Sequence, residues 1–208
     1  MEYKPDLTKE DILKNRILFE ERNSFYMDRG LDFQKSRRFI LEKAGDPDGN
    51  ILDIASGKGI MALALARAGY DLTTLDRDEE MLRLTALNLA GEGLLDRVRL
   101  FIMDAGRLDF EDASFNCVFM VDALHHMEEI EKVFSEIDRV LEKGGKLVLA
   151  DFNEKGMDIV ERAHHAEGRE HENKSLGEED ALRWLAAKGY AVESWQADCH
   201  WVVVARKK

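Results

Sequence analysis

The stretch Ile51-Leu-Asp-Ile-Ala-Ser-Gly-Lys-Gly-Ile60 decides the fold. A short apolar run is closed by Ser-Gly-Lys-Gly, and Ile60 opens a second run, rich in Ala and Leu, that stops at Gly69. The reading is a buried strand, a tight turn and a buried helix. Glycines between strand and helix let the backbone pass close to a ligand, because no Cβ intervenes. The same turn offers the unpaired N–H groups of a helix start. A further apolar run at 72–75 closes on Asp76, 17 residues after Gly59. A carboxylate there can accept both hydroxyls of a ribose. The spacing predicts a nucleoside site without naming the nucleoside. Gly57-x-Gly59-x-x-Ala62 followed by Asp76 also fits the dinucleotide fingerprint, so an NAD(P)-dependent oxidoreductase stays open on this segment.

Outward from the turn, strands and helices alternate. Strands are expected at 98–103, 117–121 and 147–150, closed by Asp104, Asp122 and Asp151. Between them, helices are expected from Asp78 to the glycines at 91 and 93, and from 128 to 143. The second has Ile130, Val133, Phe134, Ile137, Val140 and Leu141 at helical spacing, with Gly144 as its stop. A helix is expected near 157–166. Ser175-Leu-Gly-Glu178 reads as a capping box for the last helix, which stops at Gly189. Two closely connected strands, 190–196 and 200–205, should pair antiparallel. Residues 1–45 stand outside the alternation: Thr8 caps a helix to about Arg22, and a second runs from about 32 to 43. The expected architecture is α/β, a Rossmann-like, doubly wound, mostly parallel seven-stranded sheet with an antiparallel last strand. Its two parts would be an N-terminal helical segment at 1–45 and a Rossmann-like domain at 46–208. Ligands on such sheets bind beyond the carboxyl ends of the strands. Ser56–Gly59, Asp76, Asp104, Asp122 and Asp151 would gather there.

Composition narrows the function. The 208 residues suffice for one domain with a sizeable core. Thirty Lys and Arg against 42 Asp and Glu leave a formal charge of −12. That balance argues against a nucleic-acid partner, whose affinity is built on phosphate neutralisation, and against an anionic membrane surface. The longest apolar run, Ile60 to Ala66, has seven residues, far short of the ~20 of a membrane span. No apolar leader is visible at the N-terminus, and the two cysteines, Cys117 and Cys199, sit in apolar runs rather than a disulfide framework. A cytoplasmic protein, monomer or homodimer, is expected.

The chain resembles the class I S-adenosylmethionine-dependent methyltransferases, closest to the ubiquinone/menaquinone-biosynthesis type. Asp53-x-Ala55-x-Gly57-x-Gly59 resembles their first motif, with alanine in place of the first glycine. That departure is expected to cost little, on the view that the backbone there need not take a positive φ. Thr74-Leu-Asp76, Asp78 to Leu82, Met103-Asp-Ala105, Ser114-Phe-Asn-Cys-Val118, Ala123-Leu-His-His126 and Val140 to Val148 resemble the later motifs, in the family's order. The resemblance implies a methyltransferase using S-adenosyl-L-methionine and releasing S-adenosyl-L-homocysteine, with a small-molecule acceptor. It implies that Asp53 holds the methionine ammonium, and that Ala55, Ser56 and Gly57, in the turn closed by Gly59, line the methionine and ribose. Asp76 would take the ribose hydroxyls. Arg77 and Met81 would flank the adenine, with Asp104 accepting from its amino group and Ala105 beside the ring. Val121, Asp122 and Ala123 would pass under the sulfonium. The N-terminal helices resemble the family's lid, with Tyr26 near the methyl donor. A non-catalytic protein binding S-adenosylmethionine would show the same cofactor motifs.

Methyl transfer from a sulfonium needs alignment and dryness, and a base only where the acceptor must lose a proton. Candidates are His125 and His126 at the exit of the fourth strand of the motif order, and His164, His165 and His171 in the segment after the fifth. The latter lie among Glu167, Glu170 and Glu172, but neither the His-Glu-x-x-His spacing nor paired cysteines are present, so no metal is expected.

Overall fold

A computed structural model describes residues 1–127, 129–166 and 177–208. The glycine turn lies as expected between a buried strand and a largely buried helix. Strand β2 (Ile51–Ile54) precedes it and helix α3 (Ile60–Arg67) follows. Strand β3 (Leu72–Asp76), helix α4 (Glu79–Ala90), strand β4 (Val98–Ile102) and strand β5 (Phe115–Val121) continue the alternation. Helix α5 (Ile130–Val140), strand β6 (Leu141–Phe152), helices α6 (Glu154–Ala166) and α7 (Glu178–Ala187), and strands β7 (Ala191–Gln196) and β8 (His200–Arg206) complete it. Before β2 stand β1 (Glu2–Tyr3), α1 (Lys9–Met27) and α2 (Phe33–Ala44).

The strand order is β1-β4-β3-β2-β5-β6-β8-β7. Strands β2 to β6 are mutually parallel wherever they pair, and β8 runs antiparallel to both its neighbours. The sheet has eight strands rather than seven, because Glu2 and Tyr3 pair antiparallel with Phe101 and Leu100 on the outer edge of β4. A two-residue strand carries no period to read.

Alternating residues of each strand feed two cores. Leu52, Val118, Leu147 and Val203 face α5 and α7, packing with Phe134, Ile137 and Leu185. Ile51, Phe119, Val148 and Val202 face the other way, against α2 and α3. A smaller cluster joins the α1–α2 corner to α6 through Tyr26, Leu31, Ile159, Val160 and Ala163. Thr8 and Asp11 form a reciprocal capping box at the start of α1, which runs to Met27, beyond the expected Arg22.

Helix α5 also departs from expectation. It ends at Val140, and Gly144 is not its cap. Leu141 already pairs with Phe115, whereas Lys146 pairs with Cys117, so residues 142–145 bulge from β6. Gly144 takes φ +81° within that bulge, and its N–H donates to the Lys207 carbonyl. Buried Lys146 then donates from Nζ to the carbonyls of Ala44 and Asp46, the latter at 3.1 Å, closing the C-terminus of α2. Both cysteines are free and buried. Among the described residues no helix is long and apolar enough to cross a membrane. Ser175 lies outside the described residues. Gly177 occupies the N-cap of α7.

Candidate active site

Three positive φ values shape the turn after β2: Ala55 at +57°, Gly57 at +52° and Gly59 at +73°. The expectation for Ala55 is therefore corrected, since this alanine does occupy the left-handed region that glycine favours. Gly57 needs its open side as well. A Cβ there would meet nothing within 4 Å and would project into space a ligand could use. Gly59 plays another part, lining neither neighbouring cavity. It is the N-cap of α3, and a Cβ on it would fall 2.6 Å from Thr85 Cγ2. Asp76 ties the turn down, accepting from Gly57 N–H at 2.8 Å and from Asp78 N–H at 3.0 Å. From behind, Thr85 Oγ1 donates to the Gly57 carbonyl at 2.9 Å and Asn88 Nδ2 to the Lys58 carbonyl at 2.8 Å. Asn15 Nδ2 of α1 donates to Asn88 Oδ1 at 2.7 Å, fastening α1 to the same turn.

Two cavities open at the carboxyl ends of the strands. The larger, about 630 Å³, is lined by Asp76, Arg77, Met81, Asp104, Ala105 and Ala123, among others. The smaller, about 280 Å³, lies under α1 and α2 and takes in Tyr26, Asp53, Ser56, Val121 and His125. They meet at Ala55, Gly57, Met81, Asp122 and His126. A further cavity of about 480 Å³ lies at the amino ends of the strands, touching Asn50, Asp71 and Ser114, and none of the expected site residues lines it.

Asp53 is 1% exposed and accepts from Thr74 Oγ1 at 2.8 Å. Burial pushes its carboxyl up to about 7, against the opposing pull of the Thr74 hydrogen bond and the Arg37 charge. Asp122, at φ +55°, pairs with Arg37 Nη2 and shares a 2.9 Å hydrogen bond with His200 Nε2. Burial would raise it, but Arg37 and His200 together hold it well below the usual carboxylate range. Arg37 and His200 were not among the residues expected at the site. The signal for Arg37 was its place on the buried stripe of α2 with Ile40 and Ala44, where a lone charge demands a partner.

The histidines separate. His125 is buried, its Nδ1 2.7 Å from Asp151 Oδ1, and its backbone N–H donates to the other oxygen of that carboxylate at 3.1 Å. Burial would lower its pKa, but the Asp151 hydrogen bond and charge, with the Asp122 charge, raise it above the ordinary imidazole value. Its ring lies 4.0 Å from that of exposed His126. His164 is half-buried and lines the smaller cavity. His165 is exposed and lines neither cavity, because it faces outward one residue further along α6. His171 lies outside the described residues. Among the described residues no group of His, Cys, Asp and Glu is placed to hold a metal ion.

Residues 52–149 match the methyltransferase domain family. Over 175 residues the chain is 32% identical to the demethylmenaquinone methyltransferase of Clavibacter sepedonicus, covering 74% of this chain and 69% of that protein. The chain belongs to the class I S-adenosylmethionine-dependent methyltransferases. This membership favours the methyltransferase reading of the glycine turn over the nicotinamide one. The methyltransferase chain is also 35% identical over 131 residues to the ubiquinone/menaquinone biosynthesis C-methyltransferase UbiE of Desulfotalea psychrophila, covering 61% of itself and 51% of that relative, about half its length. In fold it matches a Methanococcus maripaludis protein provisionally described as an S-adenosyl-L-methionine-dependent methyltransferase. The TM-score is 0.70 at 20% identity, covering 99% of this methyltransferase and 97% of that chain.

Proposed function

We propose that the chain transfers a methyl group from S-adenosyl-L-methionine to a small aromatic acceptor, in the manner of the quinone-methylating relatives, leaving S-adenosyl-L-homocysteine. The observation that carries the proposal is the meeting of two cavities over the glycine turn. One is suited to a nucleoside, and the other lies under α1 and α2 with aromatic side chains in its wall. The residues fit the cofactor. Gly57 leaves open space, and Ser56 Oγ is buried with no hydrogen-bond partner among the described residues. Asp76, Arg77, Met81, Asp104 and Ala105 would take the adenosine, and Asp53 and Ser56 the amino-acid part. Bound there, the cofactor supplies an activated methyl group, and the protein's work is alignment and exclusion of water.

The acceptor would lie under the N-terminal helices, which act as a lid over residues 46–208. Phe19, Tyr26, Phe33 and Phe152 wall that cavity, and flat apolar side chains suit a flat ring. His125 is the base we assign. Its ring lines the smaller cavity, and the Asp151 carboxylate at Nδ1 orients it and stabilises the imidazolium that forms when an acceptor hydroxyl gives up its proton. The acidic chain suits a small-molecule acceptor rather than nucleic acid. Calorimetry with S-adenosylhomocysteine and NAD, then a labelled-methyl assay on a reduced naphthoquinone, tests the reading. Binding of S-adenosylhomocysteine alone with label transferred to the quinol is expected. NAD binding in its place would refute the cofactor, and S-adenosylhomocysteine binding with no transfer to any aromatic hydroxyl compound would refute the acceptor class.

A further inference from the structure

Arg37 is 4% exposed, a charged residue in the interior. Its Nη2 is committed to Asp122, and its guanidinium carbon lies 5.6 Å from the centre of the Phe33 ring. Nε and Nη1 are buried and have no hydrogen-bond partner among the described residues. Two nitrogens with three unmet N–H groups between them are costly to leave so on a buried cation. Nearly every buried donor has a partner, so an exception calls for an explanation, and a catalytic or ion-binding role is one. Arg37 lines the smaller cavity together with Ser56, whose buried hydroxyl is likewise unmet.

The electrostatics of the cavity point the same way. In a chain with 42 acids against 30 bases, this cavity is lined by Arg22, Arg37 and Lys58 against two carboxylates, Asp53 and Asp122. Asp122 is already spent on Arg37 and His200. His200 fixes the carboxylate from the β8 side and Asp122 fixes the arginine, so the guanidinium is held in place before any ligand arrives. An anionic oxygen is what such a preset donor group recognises.

We infer that Arg37, positioned by Asp122 and His200 and assisted by Ser56, is the receptor for an anionic oxygen of the bound ligand, a carboxylate or a phenolate, in the cavity under α1 and α2. The inference rests on the cofactor reading above. The oxygen belongs either to the amino-acid carboxylate of the cofactor or to the acceptor, and the two sources separate by experiment.

Arg37→Lys keeps the charge but replaces the rigid planar fork of donors with a compact ammonium, and Ser56→Ala removes only a hydroxyl. Each is titrated calorimetrically with S-adenosylhomocysteine and with methylthioadenosine, which lacks the amino-acid carboxylate. S-adenosylhomocysteine-saturated protein is then titrated with 2-naphthoate and its uncharged methyl ester. With the cofactor as source, Arg37→Lys weakens S-adenosylhomocysteine at least tenfold and leaves methylthioadenosine within twofold. With the acceptor as source, it weakens 2-naphthoate at least tenfold and spares both the ester and S-adenosylhomocysteine. Either result supports the inference. If Arg37→Lys does not fold, Ser56→Ala carries the same comparison, with a threefold or larger loss expected. Variants that bind all four compounds within twofold of the parent protein overturn the Arg37 assignment while leaving the cofactor reading intact. A parent protein that binds neither adenosine compound overturns both.

Discussion

Buried Asp53 should make cofactor binding release protons. Burial holds its carboxyl at about 7, so near pH 7 about half of the free protein carries a proton there. A ligand ammonium placed beside it favours the ionised form and lowers the pKa by ~1–3 units. Binding S-adenosylhomocysteine at pH 7 should then expel roughly 0.4–0.5 proton per site, falling towards zero by pH 8.5. Affinity should drop roughly tenfold, ~1.4 kcal/mol, between pH 8 and pH 6. Calorimetry in buffers of different ionisation enthalpy counts the protons. Asp53→Asn, which cannot ionise, should lose this release. The same raised value makes Asp53 a stability liability. The folded state holds the proton more tightly than an unfolded chain with a carboxyl near ~3.9. Folding therefore gains most below pH ~4, and that advantage is lost as pH rises through about 7. Asp53→Asn should accordingly raise stability at pH 8 by up to ~4 kcal/mol and change little at pH 4. A parent protein that binds without proton release at pH 7, or an Asn variant that releases as many protons, would refute the placement of Asp53 beside the ammonium.

Ala55→Gly relieves a left-handed alanine and should gain ~1 kcal/mol, seen as a midpoint ~2–4 °C higher in a thermal melt. Asp76→Ala removes the acceptor that ties down Gly57 and Asp78, so S-adenosylhomocysteine should bind ~1.5–3 kcal/mol more weakly, and unchanged calorimetric affinity would take Asp76 out of the site. Lys146→Met leaves the Ala44 and Asp46 carbonyls without their cation and should cost ~1–3 kcal/mol in urea titration, with no change in cofactor affinity. His125→Gln should cut turnover of a hydroxylated acceptor ~10²-fold or more while leaving S-adenosylhomocysteine affinity within about twofold.

The sheet was legible because its parallel strands are short apolar runs, β2 and β3 buried throughout, punctuated by a glycine or an aspartate. What escaped the sequence has physical causes. Glu2 and Tyr3 form a strand of two residues, too short for a side-chain period to record. Gly144 follows a helical stripe as a cap would, but Leu141, the last residue of that stripe, belongs to β6, where apolar residues are equally at home. At the site, residues that face the ligand from strand ends were readable from their position after an apolar run. The pairings of Arg37, His200 and Asn88 were not, because the partners lie 85, 78 and 73 positions away, and nothing local says which residue each one meets. His164 and His165 are adjacent, and only the rotation of α6 decides which one faces the cavity.

Asp122 is gripped by a group that precedes it in the chain, Arg37, and by one that follows 78 residues later, His200. His200 opens β8, which reaches the body of the sheet only by docking against β6 with β7 on its outer side. On the ribosome, every segment of the glycine turn and the whole of β2 to β6 emerge before that docking can occur. A nascent chain paused short of residue 200 therefore displays all the recognisable motifs while Asp122 and Arg37 lack one side of their support. Competence to capture a ligand should arrive late and abruptly, with the C-terminal hairpin, so that half-made chains do not sequester the cofactor.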